Sequence, residues 1–172
     1  MQIDKILISA VVGTSAMTLF SYWVSASKNK NFREPEVLGQ LIQRLPKSSS
    51  KKSAQIAGWF LHYTIGTSFV AFYNELWKRK HIKPSVSSGA LLGAASGLVG
   101  ITGWKGMFEV HPNPPAKKLK PFFGHLMLAH IVFGAFSALA YKVAQNQKNG
   151  IPLNNESGIL LKISADIPDA HY

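Results

Sequence analysis

Two histidines stand in matching surroundings. His62, Gly66 and Tyr73 are spaced at +4 and +11, and His130, Gly134 and Tyr141 repeat that spacing 68 residues later. Each histidine lies eight positions inside a stretch free of Asp, Glu, Lys and Arg, and His125 precedes the second by five. An ionisable side chain within such an apolar run is expensive, which makes it a functional-site hypothesis by default. Three chemistries fit the pair. Each neutral imidazole can hydrogen-bond across a tight helix seam, with Thr14, Ser15, Thr18 and Ser96 as candidate partners. The pair can ligate a b-type haem between two helices, with Gly66 and Gly134 leaving room for the macrocycle. Or the pair can line a polar path for a proton or a small solute. The first asks least of the sequence. A metal centre would want a third ligand, and no Asp or Glu lies inside these stretches to supply one.

Other chemistry finds little footing. The chain has no Cys, its serines lack a neighbouring His–carboxylate pair in sequence, and no phosphate loop or dinucleotide fingerprint is present. Glu75 and Glu109, at the edges of uncharged stretches, are placed to pair with Arg79 and Lys105 rather than to act as bases. The expectation is a non-enzymatic protein with a structural, stress-related or interaction-mediating role; the alternatives are a small-solute or proton transporter assembled as an oligomer and a bis-histidine haem-binding redox protein.

The elements that must hold the histidines are four blocks without charge: Ile6–Ala26, Ala54–Asn74, Ser85–Trp104 and Phe122–Tyr141. Each has the length, about 20 residues, that a helix needs to cross a bilayer core about 30 Å thick. Aromatics and then cations flank them, as at a membrane interface: Tyr22 and Trp23 before Lys28, and Trp77 before Lys78 and Arg79. Core helices of a soluble bundle would carry a polar face, and these carry none. The expected fold is an all-α membrane protein with four transmembrane helices, spans at about 6–26, 54–77, 85–106 and 122–143, within a domain over 1–144 followed by a polar tail, 145–172. Val24-Ser25-Ala26 offers an alternative reading of the first block as a cleaved signal peptide. Asp4 beside Lys5 and the length of the apolar stretch favour a retained span.

The net charge of +11 would suggest nucleic acid in a soluble protein. Here the cations fall in loops beside the blocks, so anionic lipid headgroups are the expected partners and nucleic acid is not. The first and third loops carry eleven cations against eight on the other side, which leaves sidedness undecided, leaning towards cytoplasmic first and third loops. In the first loop, Val37, Leu38, Leu41, Ile42 and Leu45 recur at helical spacing between Pro35 and Pro46. This predicts a short helix, either lying in the membrane interface or covering the ends of the bundle. Residues 47–53 read as a flexible basic linker.

Small residues mark the seams. Gly58, His62, Gly66, Phe69 and Tyr73 form one stripe on a helix, as do Gly89, Gly93, Gly97, Gly100 and Trp104, and His130, Gly134, Ser137 and Tyr141. Such stripes let backbones approach closely where lipid supplies no hydrophobic drive, either within a bundle or across a homodimer. The matched stripes suggest a duplicated helical hairpin, with the first two spans answering to the last two.

Taken together, Gly13-Thr14-Ser15-Ala16-Met17-Thr18, Glu34-Pro35, His62-xxx-Gly66 with Tyr73, the glycine-rich third block and His130-xxx-Gly134 resemble the YagU-like group of small bacterial inner-membrane proteins. The resemblance covers residues 5 to about 142. It implies a multipass inner-membrane protein without an assigned catalytic activity and transfers no catalytic residues.

Overall fold

A computed structural model describes residues 3–46, 50–79, 82–116 and 118–148. These form five helices and, among the described residues, no strand: α1 (Ile3–Lys28), α2 (Glu34–Gln43), α3 (Lys51–Arg79), α4 (Val86–Val110) and α5 (Leu119–Lys148). The long helices overrun the predicted spans by a few residues at most ends, because the flanking lysines continue the helix. Lys51–Ser53, expected in a linker, already belong to α3, with the Ser50 side chain receiving the Ser53 N–H; residues 47–49 lie outside the described ones. The predicted tail begins later than expected, since α5 runs to Lys148, and residues 149–172 also lie outside.

α1, α4 and α5 are long and apolar enough to cross a membrane. α3, with 29 residues, is long enough but does not reach the same apolarity. The reason is the face it turns inward: Gly58, His62, Gly66, Tyr73 and Asn74 are buried, while Ile56, Phe60, Leu61, Ile65 and Phe72 point out, Phe60 with 74% of its surface exposed. The other long helices also expose large apolar side chains, Leu19 at 71% and Leu91 at 73%, and bury hydroxyls. This arrangement is inverted relative to a soluble bundle and suits a hydrocarbon surround.

The helix seams use the glycine stripes. A Cβ built on Gly93 would collide with the His130 carbonyl oxygen, one on Gly89 with the Gly134 carbonyl, and one on Gly134 would come within 2.7 Å of the Gly93 backbone nitrogen. Gly97 faces Met127 and the His130 Cβ. The stripe Gly89–Gly93–Gly97 is therefore occupied by α5 of the same chain. Gly66 closes against Thr14 of α1, and a Cβ on Gly58 would lie 2.5 Å from the Pro35 carbonyl oxygen and the Gly39 nitrogen of α2.

That last contact fixes the role of α2. Val37, Leu38 and Leu41 of its apolar stripe are at 5% exposure or less, so of the two expected placements the helix covers the bundle end; it stops at Gln43, short of the expected Pro46, and Leu45 is left 45% exposed. Each such side chain removed from water contributes about 1.5–3 kcal/mol. Pro35, fixed in φ, sits in the first turn, where its missing N–H costs nothing. At the far side, His111 Nε2 donates to the Leu41 carbonyl (2.8 Å), pinning the C-terminal end of α2 to the loop after α4.

Candidate functional site

The turn between α1 and α2 decides what enters the bundle. Asn29 adopts a positive φ of 49°, a conformation Asn tolerates, and the Lys30 N–H bonds the Ser25 carbonyl at 3.2 Å. This six-to-one bond with a left-handed residue is a Schellman stop. The Phe32 N–H then bonds Ser25 Oγ (2.9 Å), so the chain folds back along α1 and delivers Glu34 into the interior. Glu34 is 1% exposed. The uncharged blocks themselves hold no Asp or Glu, as read from the sequence. Glu34 lies outside every uncharged block in sequence, but the reversal carries it to His125.

Hydrogen-bond direction assigns the protons there. Ser21 Oγ donates to Glu34 Oε1 (2.8 Å), so its remaining bond, 2.9 Å to His125 Nε2, is accepted from the imidazole. His125 Nε2 also lies 3.5 Å from Glu34 Oε1. The ring is fixed between Phe20 and Phe32, with centroids at 5.4 and 4.8 Å. Glu34 Oε2 is left without a partner among the described residues.

The same reasoning fixes the other two imidazoles. Thr18 Oγ1 donates to the Thr14 carbonyl (2.7 Å), so its contact with His62 Nε2 (3.1 Å) is an N–H donated by His62. This bond crosses the α1–α3 seam to a hydroxyl, the form expected from sequence. His130 instead uses Nδ1–H on the Leu126 carbonyl of its own helix (2.9 Å). In the neutral rings, His62 Nδ1 and His130 Nε2 are then bare acceptors. His62 and His130 sit at matched positions but reach them through different partners.

Glu34, His62 and His130 share one cavity of about 50 Å³, walled also by Thr14, Met17 and Phe133. A site of about 10–15 Å³ on this measure holds one water, so the space suits a ligand of a few heavy atoms. Thr14 Oγ1, like Glu34 Oε2, is buried without a partner. Two residues of this wall thus carry a buried unpartnered oxygen, each at a cost of about 1–3 kcal/mol.

No group of three or more His, Cys, Asp or Glu close enough to hold a metal ion occurs among the described residues. The glycines expected to make room for a macrocycle are filled, Gly66 by Thr14 and Phe133 and Gly134 by the α4 backbone, so the seams between these helices do not fit a haem. Glu75 and Glu109 pair with Arg79 (3.2 Å) and Lys105 (3.7 Å), as expected. Sequence reasoning overlooked Glu34 and His111. The available signal was a Glu-Pro step opening an amphipathic helix directly after a polar turn. In comparisons with known proteins, no family model, curated protein or solved structure matches the chain.

Proposed function

We propose that the protein is a four-span integral membrane protein that passes a proton or a small polar solute through its bundle and makes no covalent bond in doing so. α3 serves as the fourth span in this reading: its outward residues match those of α1, α4 and α5, and its polar residues face protein. The inner-membrane placement and the YagU-like resemblance rest on the motifs already named. Gly66 and Gly134 each meet the helix that opens their own hairpin, α1 and α4, as a duplicated hairpin would require.

The observation that carries the reading is the cavity holding Glu34, His62 and His130 with two unpartnered oxygens. Ser9 Oγ, Ser137 Oγ and Trp77 Nε1 are also buried without partners, away from this cavity; what sets the cavity apart is that a carboxyl and two imidazoles line it together. A purely structural or scaffolding role leaves Glu34 Oε2 unexplained.

The test is flux. Full-length protein reconstituted in liposomes should relax an imposed proton or small-solute gradient. His62→Ala should reduce that flux at least tenfold while the helical circular-dichroism signal is retained. Wild-type proteoliposomes as tight as protein-free ones to protons and to a panel of small solutes would contradict the proposal.

A further inference from the structure

From the directions of these hydrogen bonds we infer that the cavity recognises a small cation bearing N–H donors, ammonium or a short primary amine; this rests on the solute-passing reading above. The imidazole and Ser21 donors around the cavity are already committed. His62 spends Nε2–H on Thr18, His130 spends Nδ1–H on Leu126, and His125 and Ser21 spend theirs in the chain that ends on Glu34 Oε1. What remains on residues of the wall is three acceptors, His62 Nδ1, Glu34 Oε2 and His130 Nε2 (which also packs against Gly100), against one adaptable hydroxyl at Thr14 and the N–H of Trp104. A site rich in acceptors selects a ligand rich in donors.

Charge and size narrow the class. No Lys or Arg lines the cavity, and one of its acceptors belongs to a carboxyl group, so a cation is favoured over an anion. Phe69, Phe133 and Trp104 complete the wall, and aromatic rings attract ammonium groups. Compact metal ions need several ligands at about 2.0–2.6 Å around one point. The described residues offer no such cluster of His, Cys, Asp or Glu. An ammonium group with three or four N–H vectors, or an amine of two or three heavy atoms, can instead bridge acceptors that are spread apart. The volume of about 50 Å³ admits such a ligand and little more.

The experiment is equilibrium binding of radiolabelled methylammonium to the purified full-length protein, with competition by ammonium and by tetramethylammonium. Saturable binding is expected, displaced by ammonium and unaffected by tetramethylammonium, which carries the charge without a donor. Glu34→Gln, which retains an oxygen to accept from Ser21, should weaken binding at least tenfold while the helical circular-dichroism signal is retained. Equal competition by tetramethylammonium would overturn the inference, since charge alone would then suffice. So would unaltered binding in Glu34→Gln, or no binding by wild-type protein that conducts another solute in liposomes; that last result leaves the transport reading standing. Wild-type protein that binds methylammonium but conducts nothing would keep the site and remove the transport reading.

Discussion

The two ends of the bundle use buried polarity differently, and only one of them sets it beside a cavity lined by a carboxyl and imidazoles. At the end formed by the C-terminal halves of α3 and α5, Tyr141 donates to Asn74 Oδ1 (2.6 Å), the Asn74 amide donates to Glu75, and Arg79 closes the chain on the same carboxylate. Beside it, Tyr73 donates to the Leu92 carbonyl and meets Ser96 at 2.6 Å, stitching α3 to α4. Each phenol and the amide finds a protein partner, although the Trp77 N–H packed among them is buried without one. At the end under α2, Ser21, His125 and Glu34 also form a chain, but it stops at an oxygen without a partner, beside a cavity. The first network locks helices together. The second holds acceptors in place for something else.

The largest effect in either direction should come from the seam that supports both ends. Gly93→Leu drives a side chain into the backbone of α5 at His130, and a loss of about 3 kcal/mol is expected, read as a lower midpoint in thermal or denaturant unfolding in detergent. Unfolding indistinguishable from wild type would show that α4 and α5 are not held by that stripe.

Next in size is the pin on the cover. His111→Ala removes the side-chain donor to the Leu41 carbonyl, which keeps the Arg44 N–H, and unpins the C-terminal end of α2 from the loop after α4. The expected loss is about 1 kcal/mol, together with faster hydrogen exchange in α2 than in the α4–α5 seam. Equal exchange in both would mean that burial of Val37, Leu38 and Leu41 holds the cover unaided.

The smallest energetic effect, and the sharpest topological one, concerns α3. The sequence has no Cys, so single cysteines can be placed without removing others. Phe60→Cys should resist a membrane-impermeant thiol reagent in intact bilayers, and Lys51→Cys should react, with stability changed by less than about 0.5 kcal/mol for Lys51→Cys. Rapid labelling of Phe60→Cys would place α3 in water and remove the fourth span.

Much of this architecture was legible before any coordinates. Four long helices follow from four blocks without charge, because a carboxylate or ammonium is costly in hydrocarbon wherever it faces. The seams follow from glycine at every fourth position, because the absence of Cβ is itself the contact. His62 was legible as a buried imidazole with a hydroxyl across a helix seam. Glu34 was not, for a definite reason: its burial depends on a left-handed Asn29 and a hydroxyl on Ser25 that turn the chain back into the protein, and neither leaves a periodic trace. The placement of α2 was equally ambiguous, since an apolar stripe looks the same whether it meets lipid or protein; Gly58 against Gly39 resolved it.

The contrast between the ends is tested most directly by measuring stability and flux together on Tyr141→Phe and Glu34→Gln. Tyr141→Phe should cost about 0.6–1.7 kcal/mol, the range for hydrogen bonds between membrane helices, and leave flux intact. Glu34→Gln, which keeps an oxygen for Ser21, should cost no more than about 1 kcal/mol and abolish flux. If both variants lost stability and flux in proportion, the two polar networks would be doing the same structural job, and the assignment of the Glu34 end as a binding site would be wrong.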